Sequence, residues 1–496
     1  MSKIYNEFTS RMQSIADVNY AAALLHWDME TYMPEKAAQR KGEQISTLTS
    51  LAHKRFSSTK THDLLKKCRK AKNISDDDMT NIIRTLEDYD KAIKLPAKFV
   101  AELSEAGSKA YVSWIEARKQ NDFSIFNVPL QKLINLKKKE TELTGYKAHP
   151  YDALLDTFEP KCTVDFLDKL FLDVRKELVP FVANIRSKPE IDNSFLHKFY
   201  PKHKQWEFGM HILKQMGYDF KAGRQDISEH PFTINFGPED VRVTTRIDEN
   251  NFANMTWSCI HEGGHALYEQ GLPGFEYGLP LGSAASLAIH ESQSRLWENM
   301  LGRSKDFWVT NYPYLQTIFP ENLSDISLDQ FYAGINKVQA SPIRTESDEL
   351  HYHFHVMIRY EIEKGIFEES LKLSDLKDYW NANYKDYLGL DIKSDKEGIL
   401  QDIHWAHGSF GYFPTYSLGS FYAAQFFKKA SEVIPTLKND IKATNYGNLL
   451  QWLRSNIHME GRKYLPNELC RKVTGEDLDF KYFMQYASSK YGDIYK

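Results

Sequence analysis

Cysteine is scarce in this chain. Cys68, Cys162, Cys259 and Cys470 are the only four in 496 residues, and no two form a Cys-x-x-Cys pair, so a disulfide framework is not expected. Long apolar runs are missing as well. No stretch of 18 apolar residues occurs, so no membrane-spanning helix is expected. Positive charge is not in excess: 63 Lys and Arg against 67 Asp and Glu leave a formal charge of −4, which argues against a phosphate-binding face and hence against nucleic acid as partner. Ser/Gly/Pro-rich stretches, low-complexity tracts and internal repeats are absent too, so no linker marks a domain boundary. The first 17 residues are polar and of mixed charge, unlike a secretory signal. Together these absences lead to the expectation of a soluble cytoplasmic protein.

Helical periodicity is abundant. Apolar positions recur at helical spacing through 3–23, 37–52, 75–95, 96–120 and 164–185, and again through 329–338, 347–363, 374–388 and 419–433. The segment 232–246 differs. It alternates, is rich in β-branched residues and carries Gly237-Pro238 at its middle, which predicts a β-hairpin. The predicted fold class is therefore mostly α-helical, with one small sheet. An exposed edge of such a hairpin can pair with an extended peptide backbone.

Directly after the hairpin comes His261-Glu262-Gly263-Gly264-His265. Histidines four apart on a helix project from one face, one turn apart, so both imidazoles reach a single tetrahedral Zn²⁺, with Glu262 beside them as a base for water. The helix is expected over 254–270, with Met255, Trp257, Ile260, Ala266 and Leu267 buried and Gly271-Leu272-Pro273-Gly274 ending it. Gly263 and Gly264 each cost that helix about 1 kcal/mol relative to alanine. That cost makes sense where a metal site, a neighbouring helix or a substrate must approach the backbone closely. Cys259 points away from the histidine face and is read as a small buried hydrophobe.

A catalytic zinc site takes three protein ligands and leaves the fourth position open. Twenty-five residues beyond His265, the helical segment 286–297 contains His290-Glu291. A His-His-Glu set is well attested for zinc hydrolysis, so Glu291 is the favoured third ligand and His290 its rival. Adjacent helical residues point about 100° apart, so only one of the two can face the metal; His290 is then left to support the ligands from behind. Stabilising an oxyanion needs further donors, for which His404, Tyr412 and Tyr416 are candidates because Gly408 and Gly411 allow their loop a close approach. Arginine's planar fork suits bidentate binding of a carboxylate, and Arg344 and Arg242 are the candidates for that role beside the bland reading of each as a salt bridge. His351 and His355 are four apart but are read as a helix face rather than a second metal site.

Several ordered motifs carry a resemblance. His230-Pro231-Phe232, Asp240-x-Arg242-x-Thr244, His261 to His265, and His290-Glu291-Ser292-Gln293 are followed by Ile343-Arg344-x-x-Ser347-Asp348, Gly398-x-x-Gln401-Asp402-x-His404-Trp405 and the glycine–aromatic run 407–416. The chain resembles the carboxypeptidase Taq family of metallocarboxypeptidases from about residue 20 to its end, departing only where Ser347 replaces an alanine. The resemblance implies a single large helical zinc-peptidase fold with a deep substrate groove. Residues 1–496 would form one catalytic domain, about 1–225 supplying one wall and about 226–496 the metal-binding part. It implies one Zn²⁺ per chain (Co²⁺ or another divalent metal as substitute), peptide substrates with a free C-terminus and a homodimer. It places His404 and Tyr416 in the active site, prefers Arg344 over Arg242 as carboxylate clamp, and adds His230 to the substrate-binding residues. The function expected is removal of C-terminal residues with broad preference. The alternatives are an endo-oligopeptidase of the same helical type and a non-catalytic zinc-containing scaffold, against which an intact Glu262 argues.

Overall fold

Periodicity becomes structure almost segment for segment. The structure, a computed structural model, describes residues 3–496. Helices occupy Lys3–Thr31, Ala38–Phe56, Asp76–Lys94, Ala97–Gln120 and Val164–Arg186, and later Leu328–Ile335, Tyr352–Phe367, Leu376–Leu388 and Pro414–Val433. Helices such as Ser124–Thr144, Lys202–Met216 and Lys481–Ile494 add to those expected. Among the described residues no helix is long and apolar enough to cross a membrane.

The chain divides into two compact units, each assembled from three separate stretches. The first comprises Met1–Ile93, Asp192–Ile335 and Tyr422–Leu478. In it, Tyr5, Phe8, Met12 and Ile15 recur every three to four residues along one helix and are buried with Leu64, Leu65, Cys68 and Ile82. A second core of this unit packs Tyr200, Phe252, Phe319, Phe331 and Trp308 together, edge to face except for the tilted pair Tyr200–Phe252. The other unit comprises Lys94–Ile191, Asn336–Phe421 and Asp479–Lys496. There the helix Val164–Arg186 buries Leu167, Leu170, Phe171, Val174, Leu178 and Val182, and Tyr360 packs on Phe171 and Tyr151.

The expected hairpin forms within the first unit as β2 (Thr233–Asn235) and β3 (Val241–Thr245), paired antiparallel with Thr233 opposite Val243. Gly237, at φ +122°, makes the turn, and the Asp240 amide donates to its carbonyl. A third strand, β1 (Gln225–Ile227), pairs parallel with β3, so the order is β1-β3-β2. Three residues are too few to show an alternation, which is why β1 leaves no mark in the sequence. β2 is consequently an edge.

Candidate metal centre

The helix Phe252–Glu269 starts where the Asn251 side chain caps the Ala253 amide at 3.0 Å. Its glycines answer to neighbouring backbone and side chains. A Cβ on Gly264 would lie 2.6 Å from Ser294 Cα, and one on Gly263 would lie 2.7 Å from Leu213 Cδ2. Of the three causes open in the sequence, the neighbouring helices are the operative one. The helix facing Gly264, Leu287–Arg295, is capped by Ser286 and runs on into a wide π-type turn over Leu296–Gly302.

That close approach brings Glu291 to both histidines. Glu291 Oε2 lies 3.7 Å from His261 Nε2 and 3.5 Å from His265 Nε2, and the three candidate ligand atoms lie within 4.8 Å of one another. Ligands about 2.0–2.2 Å from a tetrahedral ion sit about 3.3–3.6 Å apart, so the spacing, and the donor set of two imidazoles and one carboxylate, fit a divalent ion. His290 turns to the rear, as the 100° step between neighbours requires.

Each imidazole is oriented from behind. His261 Nδ1 lies 2.9 Å from Glu298 Oε2; a carboxylate only accepts, so Nδ1 carries the proton and Nε2 keeps its lone pair for the ligand triangle. His265 is oriented by a relay. The Glu269 carboxylate accepts from His290 Nε2 at 2.7 Å, His290 Nδ1 then accepts from His265 Nδ1 at 2.5 Å, and His265 Nε2 is again left unprotonated. Arg295 ties the carboxylates together, its Nε donating to Glu291 Oε1 at 2.7 Å and its Nη1 to Glu298 Oε2 at 3.3 Å.

The electrostatics follow. Burial works to raise both Glu291 and Glu298, but Arg295 and the imidazoles outweigh it and hold both well below the usual carboxylate range. Burial pushes His265 down to about 3, so it is neutral and able to ligate. Burial would lower His261 too, yet Glu291 and Glu298 raise it. Glu262 is raised, chiefly by burial, with His261 and a hydrogen bond from Thr233 opposing. Cys259 is buried, its thiol pushed by burial up to about 12, in keeping with a small hydrophobe.

Other sequence candidates of the first unit lie on its sheet. Arg242, on β3, forks onto Asp240 with two 2.8 Å bonds and stacks on Trp27 and Phe236. The His230 ring is exposed, and its carbonyl accepts from Ser228 Oγ.

The second unit brings together the remaining candidates. Arg344 is buried, donating from Nε and Nη2 to Asp402 Oδ1 and from Nη1 to the Tyr352 hydroxyl. Asp402 also accepts from Arg359 Nε at 2.6 Å, so two guanidiniums share one carboxylate. Burial would raise Asp402, and the two arginines hold it far below its ordinary range. His404 Nε2 lies 3.0 Å from the Tyr416 hydroxyl, and Tyr412 packs on both rings. Burial drives His404 down to about 3. Gly411, at φ +95°, presses its backbone against Leu154, where a Cβ would sit 2.7 Å from the carbonyl. The loop is anchored by Glu363, which accepts from Trp405 Nε1 at 2.7 Å, from the Gly411 amide at 2.8 Å and from the Tyr151 hydroxyl. His351, His353 and His355 each take a separate partner, Asp348, Ser417 and Tyr384, rather than converging. Asp348 is a nearby carboxylate that the sequence pattern did not reveal, and it serves His351 alone.

Glu269, Glu298, Thr233, Arg359 and Glu363 were not singled out in the sequence. Spacing left a usable signal for Glu269, four residues after His265 on the same helix, and for Glu298, seven residues after Glu291.

The model of the family described as carboxypeptidase Taq (M32) metallopeptidase matches residues 7–491. Carboxypeptidase 1 of Bacillus subtilis is 40% identical over 493 residues, 99% of this chain and 98% of that protein. Thermostable carboxypeptidase 1 of Thermus thermophilus is 38% identical over 95% of each. The crystal structure of an M32 carboxypeptidase from Deinococcus radiodurans R1 matches with a TM-score of 0.97 at 35% identity, covering 100% of both chains. A match this long, in sequence and in fold alike, means that the chain belongs to the carboxypeptidase Taq (M32) family of metallopeptidases.

Proposed function

We propose that this metallocarboxypeptidase removes C-terminal residues from peptides one at a time, with broad preference, using one Zn²⁺ per chain and Glu262 as general base. Co²⁺ or another divalent metal would substitute. The observation that carries the reading is the convergence of His261 Nε2, His265 Nε2 and Glu291 Oε2 next to a buried Glu262. An ion held by these three would polarise the scissile carbonyl and bring the pKa of a water toward about 7.

The chain's own residues supply the rest. Glu262 takes a proton from the attacking water and passes it to the leaving amine. His404 Nε2 and the Tyr416 hydroxyl are hydrogen-bonded to each other, and the proton of this pair that is not used between them serves as donor for the oxyanion, with Tyr412 beside them. Arg344 holds the α-carboxylate. Its support is a charge count: two arginines share one aspartate, so a net positive charge remains in that buried cluster for an anion to neutralise. Arg242 is the second candidate, weakened by its fork onto Asp240. The Thr233 and Asn235 backbone groups lie on the side of β2 away from β3, where an extended peptide can pair, and His230 lies just before that strand.

The whole chain, 1–496, is taken as one catalytic domain. The reading also includes a cytoplasmic location, supported by four free buried cysteines, and a homodimer, supported by family resemblance. The family's activity sets aside a non-catalytic scaffold. Mass spectrometry of a peptide and its C-terminally amidated twin, each with and without chelator, tests the function. Stepwise loss from the free C-terminus only, abolished by chelator and restored by Zn²⁺, is expected. Internal cleavage of the amidated peptide at a similar rate would establish the endo-oligopeptidase instead.

A further inference from the structure

We propose that Thr233 is a positioning residue for Glu262, holding one carboxylate oxygen so that the other is presented to water; this rests on Glu262 as general base. Thr233 opens β2, 29 positions before Glu262 in the chain, and its hydroxyl donates to Glu262 Oε2 at 2.7 Å. The same oxygen lies 3.0 Å from the Glu262 carbonyl, but a hydroxyl has one proton, and the shorter contact is to the charged acceptor.

Three features make this more than a surface bond. The strand is pinned at that point, since the Thr244 amide donates to the Phe232 carbonyl at 2.9 Å and the Phe232 amide to Thr244 Oγ1 at 2.9 Å. Ser228 Oγ, 2.7 Å from Thr244 Oγ1, closes the cluster. Threonine is β-branched and stiff about χ1, so the hydroxyl is aimed by a rigid backbone. Glu262 is long and flexible, and the Thr233 hydroxyl is what holds its carboxylate.

The chemistry is consistent through a turnover. One water O–H bond breaks as an Oε1–H bond forms, and that Oε1–H bond breaks when the amine N–H bond forms. Oε2 is an acceptor both in the carboxylate and in the carboxylic acid, so the Thr233 bond survives both proton transfers and the carboxyl keeps its orientation.

The test uses Thr233→Val, which keeps the shape and removes the hydroxyl, beside Thr233→Ser and Glu262→Gln in the zinc-loaded enzyme. Thr233→Val should lower kcat roughly 10- to 100-fold with KM and metal content unchanged, and Thr233→Ser should recover most of the loss. A crystal structure of Thr233→Val should show the Glu262 carboxylate in more than one rotamer. In the Glu262→Gln background, Thr233→Val should add little, because the two act as one unit. An unchanged kcat in Thr233→Val beside an inactive Glu262→Gln overturns the role of Thr233 alone. Full activity in Glu262→Gln removes the base, and this proposal with it. Equal losses in Thr233→Val and Thr233→Ser, or metal loss in both, would make Thr233 a structural staple and likewise overturn it.

Discussion

Glu298 accepts the Nδ1 proton of His261 at 2.9 Å, and that bond decides which ring nitrogen faces the ligand triangle. The π-type turn is what carries Glu298 there, continuing the helix that bears Glu291.

Glu298→Ala should therefore weaken metal binding by about 10- to 100-fold without unfolding the chain. Glu291→Ala, which removes a ligand atom, should weaken it further. His290→Ala should resemble Glu298→Ala, since it too removes a support rather than a ligand. Chelator competition followed by elemental analysis ranks the three; metal loss in His290→Ala exceeding that in Glu291→Ala would exchange their assignments.

Arg344→Ala should cut efficiency on free-C-terminal peptides by an amount equivalent to about 2–5 kcal/mol, with metal content intact. Asp402 keeps Arg359 as a partner in this variant, so the fold is not left with an unpaired buried carboxylate. Arg344→Lys should restore only part, because an ammonium cannot reproduce two parallel bonds. Steady-state kinetics on paired peptides checks this; unchanged kinetics in Arg344→Ala with a loss in Arg242→Ala would move the clamp to β3.

Gly264→Ala should destabilise by about 1–3 kcal/mol and loosen metal binding, because the new Cβ meets the backbone of the helix that carries Glu291. Gly42→Ala, in an exposed helix position with nothing within 4 Å, should instead stabilise by up to about 1 kcal/mol. Denaturant midpoints with and without zinc separate the two. Equal behaviour would contradict the packing role of Gly264.

Burial pushes Glu363 up from its ordinary 4.5 to about 7, against three donors that favour its charged form. Between these pH values the folded chain holds a proton that the unfolded chain has released. The contribution of Glu363 is thus full below about 4.5, falls as pH rises, and levels off above about 7. Glu363→Gln, which cannot ionise, should gain on the parent by up to about 3 kcal/mol between pH of about 4.5 and 8. Urea unfolding at both ends of that range measures the difference, and a constant gap would contradict the shift.

Local periodicity made much of this protein legible. The histidine pair, the metal helix, the hairpin with Gly237 at its turn and most of the long helices follow from spacings of two or of three to four residues. The ordered motifs named the family because residue identity survives in a sequence without coordinates. Cys259 read correctly as a small buried hydrophobe from its place on the helix alone.

Tertiary structure decided which groups serve those motifs. Glu298 reaches His261 across 37 positions, Thr233 reaches Glu262 across 29, and Arg344 and Arg359 meet on Asp402 across 58 and 43. Such bonds have no period, since they depend on which elements pack together rather than on the step of any one of them. Gly264 shows both sides. Its helix-weakening cost was visible in the sequence, but that the cost is incurred for the backbone of Ser294, and not for a metal or a substrate, is a fact of packing.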